Sequence, residues 1–191
     1  MTQFEYVSVA ISIVFSFAVL RLLDALPHAV SRASRYWIHG VWVAFLIWWS
    51  AVFWWLSWSH SARHEEFGFP SFLLLVTPPG ILYLCATALV SEAPAQVASW
   101  REHFWTVRRR FFGLALALLV TLIFTSFVLQ HIPLVHPLRA PQLVLLALFT
   151  TGLLSRSERI HGVVAMLGAA FALTMVVLAV AGVIEPDLRS E

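Results

Sequence analysis

Residues 111–130 read FFGLALALLVTLIFTSFVLQ, twenty positions without a charge. A helix of about that length, at about 1.5 Å per residue, crosses the roughly 30 Å hydrocarbon layer of a bilayer. In hydrocarbon the backbone has to bond to itself, which a helix does. Four more runs have this character, at 5–26, 37–58, 71–90 and 162–184. A weaker one lies at 138–155; it is short and has Arg139 at its start, where an arginine can reach back to the interface. The sequence therefore predicts an all-α membrane protein, residues 1–191 forming a single polytopic transmembrane domain. Its six transmembrane helices are arranged as three helical hairpins, and little of the chain is left outside the bilayer. Composition agrees: only 12% of residues are charged, about half the usual share in soluble domains. The first run does not read as a cleaved signal, because residues 1–5 are acidic and no small-residue cleavage pattern follows.

All twelve basic residues are arginine, and their placement sets an orientation. Arg21, Arg32, Arg35, Arg101, Arg108, Arg109, Arg110, Arg156 and Arg159 fall at one end of the spans; Arg63, Arg139 and Arg189 fall at the other. Positive loops stay cytoplasmic. Six spans then put both termini outside the cytoplasm, with a bacterial inner membrane as the expected setting. Tryptophans fit as interface belts, with Trp37 and Trp42 near the inner face and Trp54, Trp55 and Trp58 near the outer. Trp48 and Trp49 lie too deep for a belt and are expected to fill the core; the alternative is the wall of a pocket for a flat ligand such as a quinone.

One stretch occurs twice. SRASRYWIHGV at 31–41 returns as SRSERIHGV at 155–163. Each copy leads from an arginine-rich turn into a returning helix, and a third turn, VRRRFFGLA at 107–115, follows the same plan with Phe112 in place of histidine. In the topological reading, arginines pin the turns inside and glycines let neighbouring backbones approach. In the sharper reading, His39 and His161 form a matched pair at equal depth that could hold a haem, a metal or a proton.

Polar side chains within the spans need partners or water. Glu5, Ser8, Ser12 and Ser16 form one stripe on the first helix, and Gly113, Ala117, Thr121 and Thr125 form another on the fourth. Together they suggest a hydroxyl-lined path with Glu5 at its outer mouth; close helix packing is the alternative. No acidic residue lies at the bilayer centre, which argues against a carboxylate proton relay. Pro78, Pro79 and Gly80 are expected to break or kink the third helix, since proline removes backbone donors, and broken helices line binding sites in transporters. Residues 94–111 carry Val97, Trp100, Phe104, Val107 and Phe111 at helical spacing. They are expected to form a cytoplasmic interfacial amphipathic helix before the fourth span, lying in the interface or running straight into that span, with Arg101, Arg108, Arg109 and Arg110 on anionic lipid headgroups.

The outer loops hold His60, His64, His131 and His136, weak candidates for a zinc or copper site. Glu65 and Glu66 follow His64, so the H-E-x-x-H order is not met. The single cysteine, Cys85, excludes an intrachain disulfide. There is no nucleotide-binding loop or nucleophile triad, no cofactor is required by the sequence, and a net charge of +2 does not call for nucleic acid. The leading functional reading is a homo-oligomeric channel or transporter for a small ion or solute. A haem- or metal-binding redox protein using the paired histidines, and a non-transporting scaffold or partner subunit, are the alternatives.

Overall fold

The computed structural model describes residues 3–29, 36–57 and 68–181. They form six helices: α1 (Gln3–Ala29), α2 (Trp37–Ser57), α3 (Phe69–Leu89), α4 (Trp100–Leu129), α5 (Ala140–Leu154) and α6 (Glu158–Val180). Single 3-10 turns precede α4 and α5, at Pro94–Gln96 and Pro137–Arg139. Among the described residues there is no strand. Five helices, all but α5, are long and apolar enough to cross a membrane.

α5 has only fifteen residues, yet two bonds fix its reach. Before its first turn, Arg139 Nη1 donates to Ser126 Oγ at 2.6 Å. After its last, the Ser155 carbonyl accepts from Arg108 Nη1 at 2.7 Å. Positions 126 and 108 on α4 are about 27 Å apart by helix rise, so the segment 139–155 runs antiparallel to α4 over nearly the depth of a bilayer's hydrocarbon. Arg139 is 4% exposed. It folds into its own loop rather than out to the interface, donating also to the Pro133 and Ile132 carbonyls and to Gln142 Oε1.

Each pair of helices that would form a hairpin, α1–α2, α3–α4 and α5–α6, is in contact, and the packing also extends beyond these pairs. α3 lies between α1 and α4 and packs extensively on both; α5 packs on α4, and α2 on α6. Helices apolar on every side have no single face reserved for the sequence neighbour, so each packs where shape allows.

The segment before the fourth span runs straight into it, the second of its two expected placements: α4 is unbroken for thirty residues. Ser99 caps it, its Oγ accepting from the Glu102 amide at 3.3 Å, and nothing downstream forces a stop. The apolar stripe Trp100, Phe104 and Phe111 is at most 1% exposed and faces the bundle. α3 likewise continues through Pro78 and Pro79. Proline 78 has no N–H for the Leu74 carbonyl, four residues back. Thr125 Oγ1 of α4 donates to that carbonyl instead, at 3.3 Å.

The core is aromatic. Trp42 has the rings of Phe45, Phe111, Phe112 and Phe149 around it, with centroids 5.2–5.9 Å away. Trp49 stacks on Phe149 and Trp48 meets Phe171 edge-on, so both deep tryptophans fill space between helices. The glycines of the repeated turns do not all admit neighbours: a Cβ on Gly40 or Gly113 would meet nothing within 4 Å, whereas one on Gly162 would lie 3.3 Å from Trp37. The closest approach is at Gly152 on α5, where Phe112 stands so near that a Cβ would lie 2.5 Å from its ring.

Candidate functional site

The starts of α2, α4 and α6 and the ends of α3 and α5 meet at the arginine-rich end. A helix ends with carbonyls that have no intrahelical partner, carrying partial negative charge. Two of these carbonyls organise the site. The Leu89 carbonyl, at the end of α3, is 3.0 Å from His39 Nε2 and 3.0 Å from His103 Nε2. The Ser155 carbonyl, at the end of α5, is 3.2 Å from His161 Nε2 and 2.7 Å from Arg108 Nη1. A carbonyl only accepts, so all three imidazoles donate through Nε2–H. Each repeat histidine thus closes the end of another helix, and each shares that task with a donor from the first turns of α4.

The environments differ. His39 is fully buried, stacks on Trp100 at 4.5 Å and has His103 edge-on at 6.1 Å. His161 is also fully buried, among Phe104, Trp105 and Phe112 at 5.1–5.6 Å. The structure places both at the same end of the bundle, bound to carbonyls whose α4 donors are five residues apart. Each ring sits in its own aromatic surround. The Nδ1 atoms of both are buried without a hydrogen-bond partner. Among the described residues no group of three or more potential ligands could hold a metal.

Arg108 is buried, its guanidinium carbon 5.2 Å from the Trp105 ring centroid. Arg109 and Arg110 remain exposed. Arg101 is exposed and forms two parallel bonds to Glu158, Nε to Oε1 at 3.1 Å and Nη2 to Oε2 at 2.6 Å. Tyr36 packs on Phe104 beside this pair. Burial, with the Glu158 carboxylate adding to it, pushes its phenol up to about 12.

The candidate pathway residues are placed apart. Ser12 and Ser16 donate to the carbonyls four residues back on their own helix, at 2.6 and 2.7 Å; Ser8 supplies the first of those carbonyls. Thr121 does the same toward Ala117, at 2.8 Å, while Thr125 serves α3. Glu5 lies in α1; its side chain lies outside the described residues. Around Pro78, Pro79 and Gly80 the helix is continuous, with both prolines buried. His131 and His136 lie exposed in the loop after α4, His131 at a positive φ of 55°. His60 and His64 fall outside the described residues.

Sequence reasoning missed His103 and Trp105, and placed Trp100 only as part of an apolar stripe. The local signal was the run WREHFW at 100–105, whose polar histidine sits between aromatics one helical turn inside a capped start.

The fold and its closed end define an all-α chain built from helices long enough to cross a membrane and tied together at one end. Comparison with known protein families, characterised proteins and solved structures gives no match.

Proposed function

We propose that this chain is a non-transporting membrane module, a scaffold or partner subunit. Its arginine-rich end would face the cytoplasm across a bacterial inner membrane, with both termini on the opposite side; the arginine asymmetry supports that orientation. One observation carries the reading. The hydroxyls of Ser12, Ser16, Thr121 and Thr125 donate to helix carbonyls, the pattern of helix-packing residues, and α3 packs on both of the helices that would form the path. The channel or transporter reading therefore has less support. A two-histidine haem is supported less again, because His39 and His161 each donate to a carbonyl within a separate aromatic surround. Apolar surface left open on α1 (Ile13, Phe17, Leu20) and α6 (Met166, Leu173, Val177) is the surface that lipid, or another helix, would cover in a bilayer.

Flux and spectroscopy on the purified protein test the proposal together. Reconstituted liposomes are expected to show no cation or proton flux above protein-free vesicles under voltage or pH gradients. The visible spectrum is expected to be featureless. Ser12→Leu is expected to change melting temperature or association without changing flux. A cation flux that Ser12→Leu abolishes would restore the channel; a haem absorption band would restore the redox reading.

A further inference from the structure

We infer that Arg159 heads a binding site for an anionic phospholipid in the leaflet at the arginine-rich end. The site begins with charge. Glu158 is committed to Arg101 through two bonds. Arg156 and Arg159 are exposed nearby, and Arg159 makes no hydrogen bond or ion pair with any described residue. Among the described residues the local surplus is therefore positive and the Arg159 guanidinium is unpaired, in the form that pairs with a phosphate through parallel N–H donors.

Shape comes next. From Arg159 an apolar groove of about 540 Å³ runs between α5 and α6, lined by Val144, Leu148 and Thr151 on one side and Val163 and Leu167 on the other. Thr151 adds no free donor, since its hydroxyl is bonded to the Ala147 carbonyl at 2.8 Å. From Arg159 to Leu167 the groove extends about 12 Å by helix rise, close to the depth of one leaflet's hydrocarbon. A second groove, between the starts of α2 and α6, shares Arg159 and Val163 and has Trp37 at its lip. Trp37 is 48% exposed, at the depth where indoles meet headgroups. A phosphate at Arg159 with an acyl chain along α5 and α6 matches charge to charge and hydrocarbon to hydrocarbon. A zwitterionic lipid fills the same groove but brings its own cation to the arginines, so preference for the anionic headgroup is the signature.

The test is lipid retention. Full-length protein is equilibrated in mixed micelles of phosphatidylglycerol and phosphatidylcholine at equal concentration, and retained lipid is counted by native mass spectrometry. Unmodified protein is expected to retain phosphatidylglycerol preferentially. Arg159→Gln is expected to lower that preference about five-fold, the effect of about one basic residue at a membrane surface. Arg110→Gln, which alters an exposed arginine lining neither groove, is expected to leave it unchanged. Leu167→Trp, which fills the groove and keeps the charge, is expected to lower retention of both lipids. The site is overturned if Arg159→Gln keeps the preference, if Arg110→Gln loses as much, or if Leu167→Trp retains lipid fully. Should Arg159→Gln fail to fold, a salt series on the unmodified protein decides: a preference that does not fall with ionic strength overturns the site.

Discussion

Glycines 152 and 113 should respond to alanine with opposite signs. At Gly152 an added Cβ would lie 2.5, 2.6 and 2.8 Å from three atoms of the Phe112 ring. That ring is fully buried and hemmed in by Trp42 and Phe111, so it has little room to move. Overfilling of this kind costs about 1–3 kcal/mol, against which a helical alanine regains about 1 kcal/mol over glycine. The net expectation for Gly152→Ala is a loss of up to about 2 kcal/mol. At Gly113 the Cβ meets nothing within 4 Å, so only the gain of about 0.5–1 kcal/mol remains. The gap between the variants should reach about 2–3 kcal/mol. Thermal melts in one detergent, followed by tryptophan fluorescence, read it directly. Phe112→Leu in the Gly152→Ala background should recover part of the loss, which isolates the ring contact in a double-mutant cycle. If Gly152→Ala melts at or above Gly113→Ala, Phe112 does not seat on that glycine.

Thr125→Val should destabilise by about 0.6–1 kcal/mol, the value of a hydrogen bond between helices in a membrane. In a Pro78→Ala background, where residue 78 regains its N–H, the same change should cost nothing measurable; equal costs in both backgrounds would refute the pairing. His39→Phe and His103→Phe should each cost about 1 kcal/mol, because the Leu89 carbonyl keeps one donor. The double variant should lose clearly more than their sum in the same melts, and strict additivity would show that the carbonyl is not shared. Tyr36 has its phenol raised by burial from 10 to about 12, so the folded state holds this proton more tightly than the unfolded chain. The resulting stability is full below about pH 10 and disappears as pH rises towards 12. Tyr36→Phe should lose less stability than the unmodified protein across that window in alkaline melts.

The spans were legible because length and apolarity alone decide them: 37–58 and 71–90 match α2 and α3 to within two residues. The faces were not legible. In Arg108-Arg109-Arg110 three identical neighbours have different fates; only Arg108 points where α5 ends, and that end is set by tertiary contact. The repeat containing His39 and His161 was visible, but its partners were the carbonyls of Leu89 and Ser155, groups present in every residue and distinguished only by where a helix stops. The serine stripe was visible as well. Nothing in its spacing says that Ser12 and Ser16 turn back to their own backbone. His103 escaped notice because its role depends on α3 ending beside it.

The bond from Thr125 to the Leu74 carbonyl bears on the order in which the chain is built. A helix with two consecutive prolines enters the bilayer with two carbonyls, here those of Leu74 and Leu75, that lack their usual backbone donors, and for Leu74 hydrocarbon offers no water to take the missing donor's place. The hydroxyl that relieves this lies fifty-one residues later, close to the far end of α4. A nascent chain halted between α3 and α4 would hold α3 in a strained solvent, free to tilt or slip towards the headgroups. α3 would settle at its final depth only once nearly all of α4 had followed it in, so the two helices would enter the membrane as one unit of synthesis.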